Sequence, residues 1–86
     1  MKENNIIDDM RLYHVKNIFD MMVEQELKLD SEGIKIQNKN WNDFQKQMNK
    51  LTSKEVTRMR KYVKSKGYVL QYLRSSDVWN YEKIKN

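Results

Sequence analysis

The first long stretch of the chain, residues 6–29, repeats its apolar side chains with the period of an α-helix. At about 100° per residue, one apolar stripe consists of Ile7, Met10, His14, Ile18, Met21 and Met22. A second stripe on another side consists of Leu12, Phe19, Val23 and Leu27. One stripe is enough to cover a small core. Two interpretations are therefore open: the helix is buried over a wide face, or the second stripe contacts another copy of the chain or a partner.

The periodicity changes after Gly33. Residues 34–37 alternate apolar and polar side chains, which predicts a short strand. A second helix is expected over residues 41–50, with Asn40 as its N-cap. Its apolar positions follow one helix face and are Trp41, Phe44, Met48 and Leu51. This spacing favours a place in the core for the two aromatic rings over a role in stacking on bases.

The sharpest local signal marks the start of a third helix over residues 53–66. Thr52 and Glu55 form a capping box, in which each side chain can bond to the other residue's backbone N–H. Gly67 is a natural end because glycine takes the left-handed conformation without steric cost. One side of this helix is apolar, with Val56, Met59 and Val63. The opposite side has only positive charges and consists of Lys54, Thr57, Arg58, Lys61, Lys64 and Ser65.

Residues 68–84 predict a β-hairpin. The segment 68–73 is rich in aromatic and β-branched residues, and the segment after residue 77 alternates apolar and polar side chains. The polar run between them supplies a turn with its tip near Ser75 and Ser76. The alternative is a helix that continues through Leu73. The interruption at Gly67 and the clustered aromatic residues favour the hairpin.

Charge is distributed unevenly along the 86 residues, whose net charge is +5. Residues 1–33 contain four Lys or Arg and eight Asp or Glu, a net of −4, whereas residues 34–86 contain thirteen and four, a net of +9. An excess of this kind indicates a polyanionic partner, usually nucleic acid, although a solvated charged surface has a similar composition. The length fits a single domain, residues 1–86.

Several classes of chemistry are not expected. The chain has no cysteine, which excludes disulfides, thiolate zinc sites and thiol nucleophiles. It has no apolar run of about 20 residues for a membrane span and no signal-peptide pattern at its N-terminus, which predicts a cytoplasmic protein. His14, the single histidine, is expected to be packed on its apolar stripe rather than to act as a ligand or base. Asp8 and Asp9 point to different sides of a helix, which makes them a poor pair of metal ligands. From these observations together we expect no enzyme, no metal site and no cofactor.

The order helix, short strand, helix, helix, hairpin resembles the winged helix-turn-helix superfamily of DNA-binding proteins. The segment that carries the resemblance is 51–69, LTSKEVTRMRKYVKSKGYV, which looks like a recognition helix running into the first strand of a wing. The resemblance implies an α+β, mostly α fold over residues 5–84. It also implies that the third helix enters the major groove while the hairpin tip contacts the DNA backbone or minor groove.

By position, the resemblance places Lys54, Thr57, Arg58 and Lys61 on the groove face and Arg74 near the wing tip. Arg58 is the candidate for a base contact, because its planar guanidinium can pair with guanine. Four other cations of this helix suit phosphates: Arg60, Lys54, Lys61 and Lys64. For Tyr62 two interpretations are open: a contact with DNA, or half-buried packing. The wing carries few basic residues.

The sequence thus predicts a double-stranded DNA-binding protein, as a transcriptional regulator, with a homodimer through the first helix as a further expectation. One alternative is a protein-binding inhibitor or adaptor whose basic face docks on an acidic partner surface. Another is an RNA or single-strand binder that stacks bases on Tyr72, Trp79 and Tyr81.

Overall fold

Three helices and a two-stranded hairpin follow one another within residues 2–85, the part of the chain that the computed structural model describes, with side chains described from Met10 to Lys85. The helices are α1 (Lys2–Gln25), α2 (Ser31–Asn49) and α3 (Ser53–Ser65). The strands β1 (Tyr68–Leu73) and β2 (Val78–Lys83) pair antiparallel. The expected α+β, mostly helical class is confirmed.

The predicted strand over residues 34–37 is wrong, because these residues belong to the beginning of α2. Asp30 caps this helix by accepting a hydrogen bond from the backbone N–H of Gly33 at 2.7 Å. A cap at Asp30 starts the helix well before residue 41, and the predicted cap, Asn40, lies buried inside it. Ile34 and Ile36, the apolar residues of that alternation, are both exposed on α2.

The first turn of α2 requires a residue without a side chain at Gly33, because the segment that leaves α1 passes close to it. A Cβ built there would lie 1.6 Å from the carbonyl oxygen of Lys28. That carbonyl also accepts a hydrogen bond from Gln25 Nε2 at 2.8 Å. The helix α1 ends at Gln25 rather than at residue 29, and Leu27, outside it, is 88% exposed.

One wide face of α1 is buried, and it is not either of the two predicted stripes. Its core residues are Leu12, Val15, Ile18, Phe19 and Met22, which span an arc of about 120° at 100° per residue. The arc is wide because α1 packs against α2 on one side and α3 on the other. Met10, His14 and Met21, which the first stripe included, are exposed. The side chain of Ile7 lies outside the described residues.

The second predicted stripe of α1, which was expected to contact a second copy of the chain, does not form one exposed surface. Leu12 and Phe19 lie in the core of the chain itself, and Val23 packs against that core. Leu27 is exposed but lies beyond the end of α1. Leu12 and Phe19 are therefore not available to a partner.

Phe19 lies at the centre of the core, where the helices meet the hairpin. Its ring makes edge-to-face contacts with Tyr62, Tyr68 and Tyr81, with centroid distances of 6.3, 5.7 and 5.0 Å. Such contacts add to the free energy gained from apolar burial. The core continues into α2, α3 and β1 through Phe44, Met48, Met59, Val63 and Leu70.

The third helix and the hairpin confirm the sequence-based expectation. The capping box of Thr52 and Glu55 is present, and α3 ends one residue before the predicted position 66. Gly67 follows in the left-handed conformation, with φ at 91°. The strand register pairs Tyr68 with Lys83 and Leu73 with Val78, so the turn comprises residues 74–77.

A side chain of α2 binds the backbone of β2. Gln45 Nε2 donates to the carbonyl oxygen of Trp79 at 2.7 Å, and the backbone N–H of Trp79 donates to Gln45 Oε1 at 2.8 Å. The amide thus satisfies both backbone groups of Trp79 that a further strand would pair with. This reciprocal pair ties the hairpin to α2.

Candidate nucleic-acid interface

The outward face of α3 is exposed and carries no negative charge. Its exposed residues are Lys54, Thr57, Arg58, Lys61, Lys64 and Ser65. The one acid of the helix, Glu55, is 1% exposed and lies on the inner side. Met59 and Val63, both fully buried, fix the rotation of α3 about its axis, so the cations face away from the core.

Tyr62 faces α1 rather than the outward face. Its hydroxyl donates to the carboxylate of Asp20, with distances of 2.9 and 2.7 Å to the two oxygens. Burial, the hydrogen bond and the negative charge of Asp20 raise the pKa of Tyr62 to about 12. Of the two interpretations that the sequence left open, the half-buried packing is therefore the one that the structure supports.

Two lysines that were not among the predicted contacts border Tyr62. Lys16 Nζ lies 4.9 Å from the centre of the Tyr62 ring, and Lys66 Nζ lies 5.4 Å from it. Both distances fit cation–π contacts. Lys16 belongs to the acidic N-terminal third of the sequence, and nothing in the periodicity placed it beside α3.

Arg60 lies on the side of α3 that faces the hairpin. Its Nη1 donates to the carbonyl oxygen of Leu70 at 2.9 Å, and its guanidinium carbon lies 5.8 Å from the centre of the Trp79 ring. The side chain thus links α3 to β1 and β2. A phosphate contact at Arg60 would use its remaining N–H groups.

Arg74 is exposed directly after β1, at the turn of the hairpin, as the sequence predicted. Together with Arg60 it borders a groove of about 660 Å³ between α3, the end of α2 and the hairpin. Asp77, on the other side of the turn, has a φ of 54° and accepts a hydrogen bond from the Tyr72 hydroxyl.

The aromatic residues of the hairpin do not form one stacking surface. Tyr81 packs on Phe19, and its hydroxyl donates to Glu26 Oε1 at 2.9 Å. Burial, this hydrogen bond and the charge of Glu26 raise the pKa of Tyr81. Tyr72 and Trp79 pair with each other instead, with ring centroids 5.1 Å apart.

The described side chains, Met10 to Lys85, contain no group of three or more His, Asp or Glu residues able to hold a metal ion. His14 is exposed, so the expectation that it is packed is wrong. Among the described residues, no helix combines the length and the apolar character required to cross a membrane.

The structure therefore brings Lys54, Thr57, Arg58, Lys61 and Lys64 together on one surface. Arg60 and Arg74 lie to the hairpin side of this surface, and Tyr62 is turned towards α1. Comparisons with protein-family models, with curated proteins and with solved structures find no match for this chain.

Proposed function

We propose that this chain is a winged helix-turn-helix protein that binds double-stranded DNA through the outward face of α3 and acts as a transcriptional regulator. The observation that carries the proposal is the charge of that face. Every charged side chain exposed on α3 is a cation, and its single carboxylate is buried against α1. A solvated helix ordinarily mixes both signs and gains pairs at a spacing of four residues.

The connection between α2 and α3 fits a helix-turn-helix unit. Only residues 50–52 separate Asn49 at the end of α2 from Ser53 at the start of α3, which is within the usual length of such a turn. The capping box fixes where α3 begins, and in this proposal the hairpin that follows it serves as the wing. The third strand of a winged helix is absent among the described residues, and the Gln45 amide pairs with β2 instead.

Within this proposal, the cations have different roles. Lys54, Lys61 and Lys64 neutralise phosphates and so release condensed counterions. Arg58 reads a base edge, because a guanidinium can donate two parallel hydrogen bonds to guanine. Tyr62 is removed from the predicted contacts, since its hydroxyl is bonded to Asp20.

Two triple variants test the proposal because they remove the same charge from different helices. The α3 variant replaces Lys54, Lys61 and Lys64 by glutamine. The α2 variant replaces Lys35, Lys39 and Lys46, which are exposed on the side of α2 opposite its core residue Phe44. Fluorescence anisotropy with a labelled random-sequence duplex then gives the affinity of each protein at several salt concentrations.

We expect the α3 variant to lose about three units of the slope of log affinity against log salt, because each lost phosphate contact removes roughly 0.9. The α2 variant should retain a slope close to that of the unmodified protein. Equal losses in both variants would contradict a specific role for α3. Binding to single strands in preference to the duplex would favour the stacking alternative. No binding to either at low salt would favour an acidic protein partner.

A further inference from the structure

The groove between α3 and the hairpin has apolar residues on both walls and two arginines at its rim, and the polar side chains of Asn49 and Gln71 also line it. Met48, Leu51 and Val56 form one wall, and Trp79 and Tyr72 of the hairpin form the other. Arg60 and Arg74 border the same space. Its volume of about 660 Å³ lies within the range of small-molecule sites, roughly 300–1,000 Å³.

The charged residues that line this groove all have one sign. Arg60 and Arg74 are the charged residues among its lining, and no carboxylate lines it. The nearby carboxylate of Asp77 is hydrogen-bonded to the Tyr72 hydroxyl and does not line the groove. Arg60 uses Nη1 for the Leu70 carbonyl and has further N–H groups in its guanidinium.

We propose that this groove binds a small organic anion with a flat apolar body, of the aryl carboxylate or sulfonate class. The apolar wall and the Trp79 ring bury the body of such a molecule, and the guanidinium of Arg74 binds its anionic group. An inorganic anion would leave the apolar wall in water. A neutral aromatic molecule would leave the positive rim without a counter-charge.

If the groove binds such an anion, DNA binding is affected, and this consequence rests on the proposed DNA-binding function. Arg60 and Arg74 are also proposed DNA contacts, so an anion between them neutralises charge that would otherwise face phosphates. Ligand binding and DNA binding then oppose each other. By linkage, the ligand lowers the affinity for DNA by the same factor as DNA lowers the affinity for the ligand.

Two dyes with the same aromatic body test the site without DNA. 1-Anilinonaphthalene-8-sulfonate carries an anionic group, and N-phenyl-1-naphthylamine lacks it. Each is titrated against the folded protein, against Arg74→Gln, and against Lys61→Gln, which removes the same charge from the outward face of α3. Quenching of Trp79 fluorescence in a Trp41→Phe background reports that the dye is bound, because Trp41 is the other tryptophan of the chain. The comparison of Arg74→Gln with Lys61→Gln reports whether the dye lies in the groove.

We expect saturable binding of the sulfonate to one site, with quenching of Trp79. Arg74→Gln should weaken the sulfonate about tenfold or more, as the loss of one charge-assisted hydrogen bond does, and leave the neutral dye unchanged. Lys61→Gln should change neither. Equal weakening by Arg74→Gln and Lys61→Gln, equal affinity for the two dyes, or binding without quenching of Trp79 would overturn the proposal. Failure of DNA binding would leave these results unaffected.

Discussion

The guanidinium of Arg11 on α1 donates to both carboxylate oxygens of Glu55 on α3, from Nε at 3.3 Å and from Nη2 at 3.4 Å. The same carboxylate accepts the backbone N–H of Thr52 at 2.8 Å and so completes the capping box. A single buried side chain therefore both starts α3 and attaches it to α1. The direction in which the cations of α3 point depends on this residue.

This arrangement predicts sensitivity to acid. Burial alone would raise the pKa of Glu55. The hydrogen bonds from Thr52 and the hydrogen bond and charge of Arg11 together lower it by more than burial raises it, so the net shift is downward. A carboxyl group with a lowered pKa in the folded state stabilises the fold above its unfolded-state pKa, and this stability is lost as the pH falls through the folded-state value. We expect Arg11→Met to raise the pKa of Glu55 and to move the onset of acid unfolding to a higher pH.

Urea denaturation at a series of pH values measures this shift. Lys16→Met is the matched control, because it removes a cation of α1 that contacts the Tyr62 ring and not Glu55. If both variants lose stability over the same pH range, net charge rather than the Arg11–Glu55 pair is responsible.

Removal of the capping acceptor should destabilise the fold. Thr52 Oγ1 accepts the backbone N–H of Glu55 at 3.3 Å, and Thr52→Ala leaves that donor without its partner. We expect a loss of about 1 kcal/mol in the free energy of unfolding. Thr52→Ser retains the hydroxyl and should restore most of the loss, and Ser53→Ala, at the next exposed position, should have little effect. A thermal midpoint that Thr52→Ala does not lower would contradict the assignment of the cap.

The parts of the fold that could be predicted from the sequence are those specified by neighbouring residues. The capping box and Gly67 bound α3 within one residue, and the cluster of β-branched and aromatic residues identifies the hairpin. The strand at 34–37 failed because four alternating residues fit a strand and the first turns of an exposed helix equally well. The structure caps α2 at Asp30, beside the close approach of Lys28 to Gly33, and no local pattern in the sequence contains that approach.

For the candidate site, the helical period placed the cations of α3 correctly, because Met59 and Val63 fix which side is buried. The contacts of Tyr62 and Arg60 could not be obtained in this way, since Asp20 and Leu70 reach them through the packing of other elements. The two stripes of α1 failed for the same reason. Periodicity shows that apolar positions recur, whereas the neighbours of α1 determine which arc they bury.

Substitution of Phe19 tests whether this residue belongs to the core of the chain or to a contact with a second copy. The side chain is fully buried and contacts three tyrosine rings. We expect Phe19→Ala to lower the free energy of unfolding by about 3–5 kcal/mol, as deletions of buried aromatic rings do. Met21→Ala, on the exposed side of the same helix, should lower it far less. If Phe19→Ala keeps its stability but sediments more slowly, Phe19 lies in a dimer interface instead.

At high pH, ionisation of Tyr62 should remove its hydrogen bond to Asp20 and so lower the free energy of unfolding. The pKa of Tyr62 is raised from 10 to about 12, so this contribution is complete below pH 10 and is lost as the pH rises towards 12. Tyr62→Phe removes the ionisable group and should flatten the decline of stability over that range. Urea denaturation between neutral pH and pH 11 measures the slope, with Tyr13→Phe on the exposed side of α1 as the control. Identical slopes in the two variants would contradict the assignment.

The proposed roles of Arg58 and Lys61 predict different kinds of loss in DNA binding. On a site selected from a random duplex pool, Arg58→Ala should cost about 1–3 kcal/mol, because a bidentate base contact is removed. Lys61→Ala should weaken all sequences by a similar factor and lower the salt slope by roughly one unit.

Arg58→Lys separates the shape of the side chain from its charge. Lysine keeps the positive charge but lacks the planar pair of donors, so this variant should retain the salt slope of the unmodified protein and lose its preference for the selected site. Competition anisotropy with the selected and a scrambled duplex measures both quantities. If Arg58→Lys keeps the preference, Arg58 contacts a phosphate and the base is read elsewhere. Unchanged affinity in a Lys54, Arg58 and Lys61 triple alanine variant would exclude α3 as the recognition helix, because no cation would then remain at the centre of its outward face.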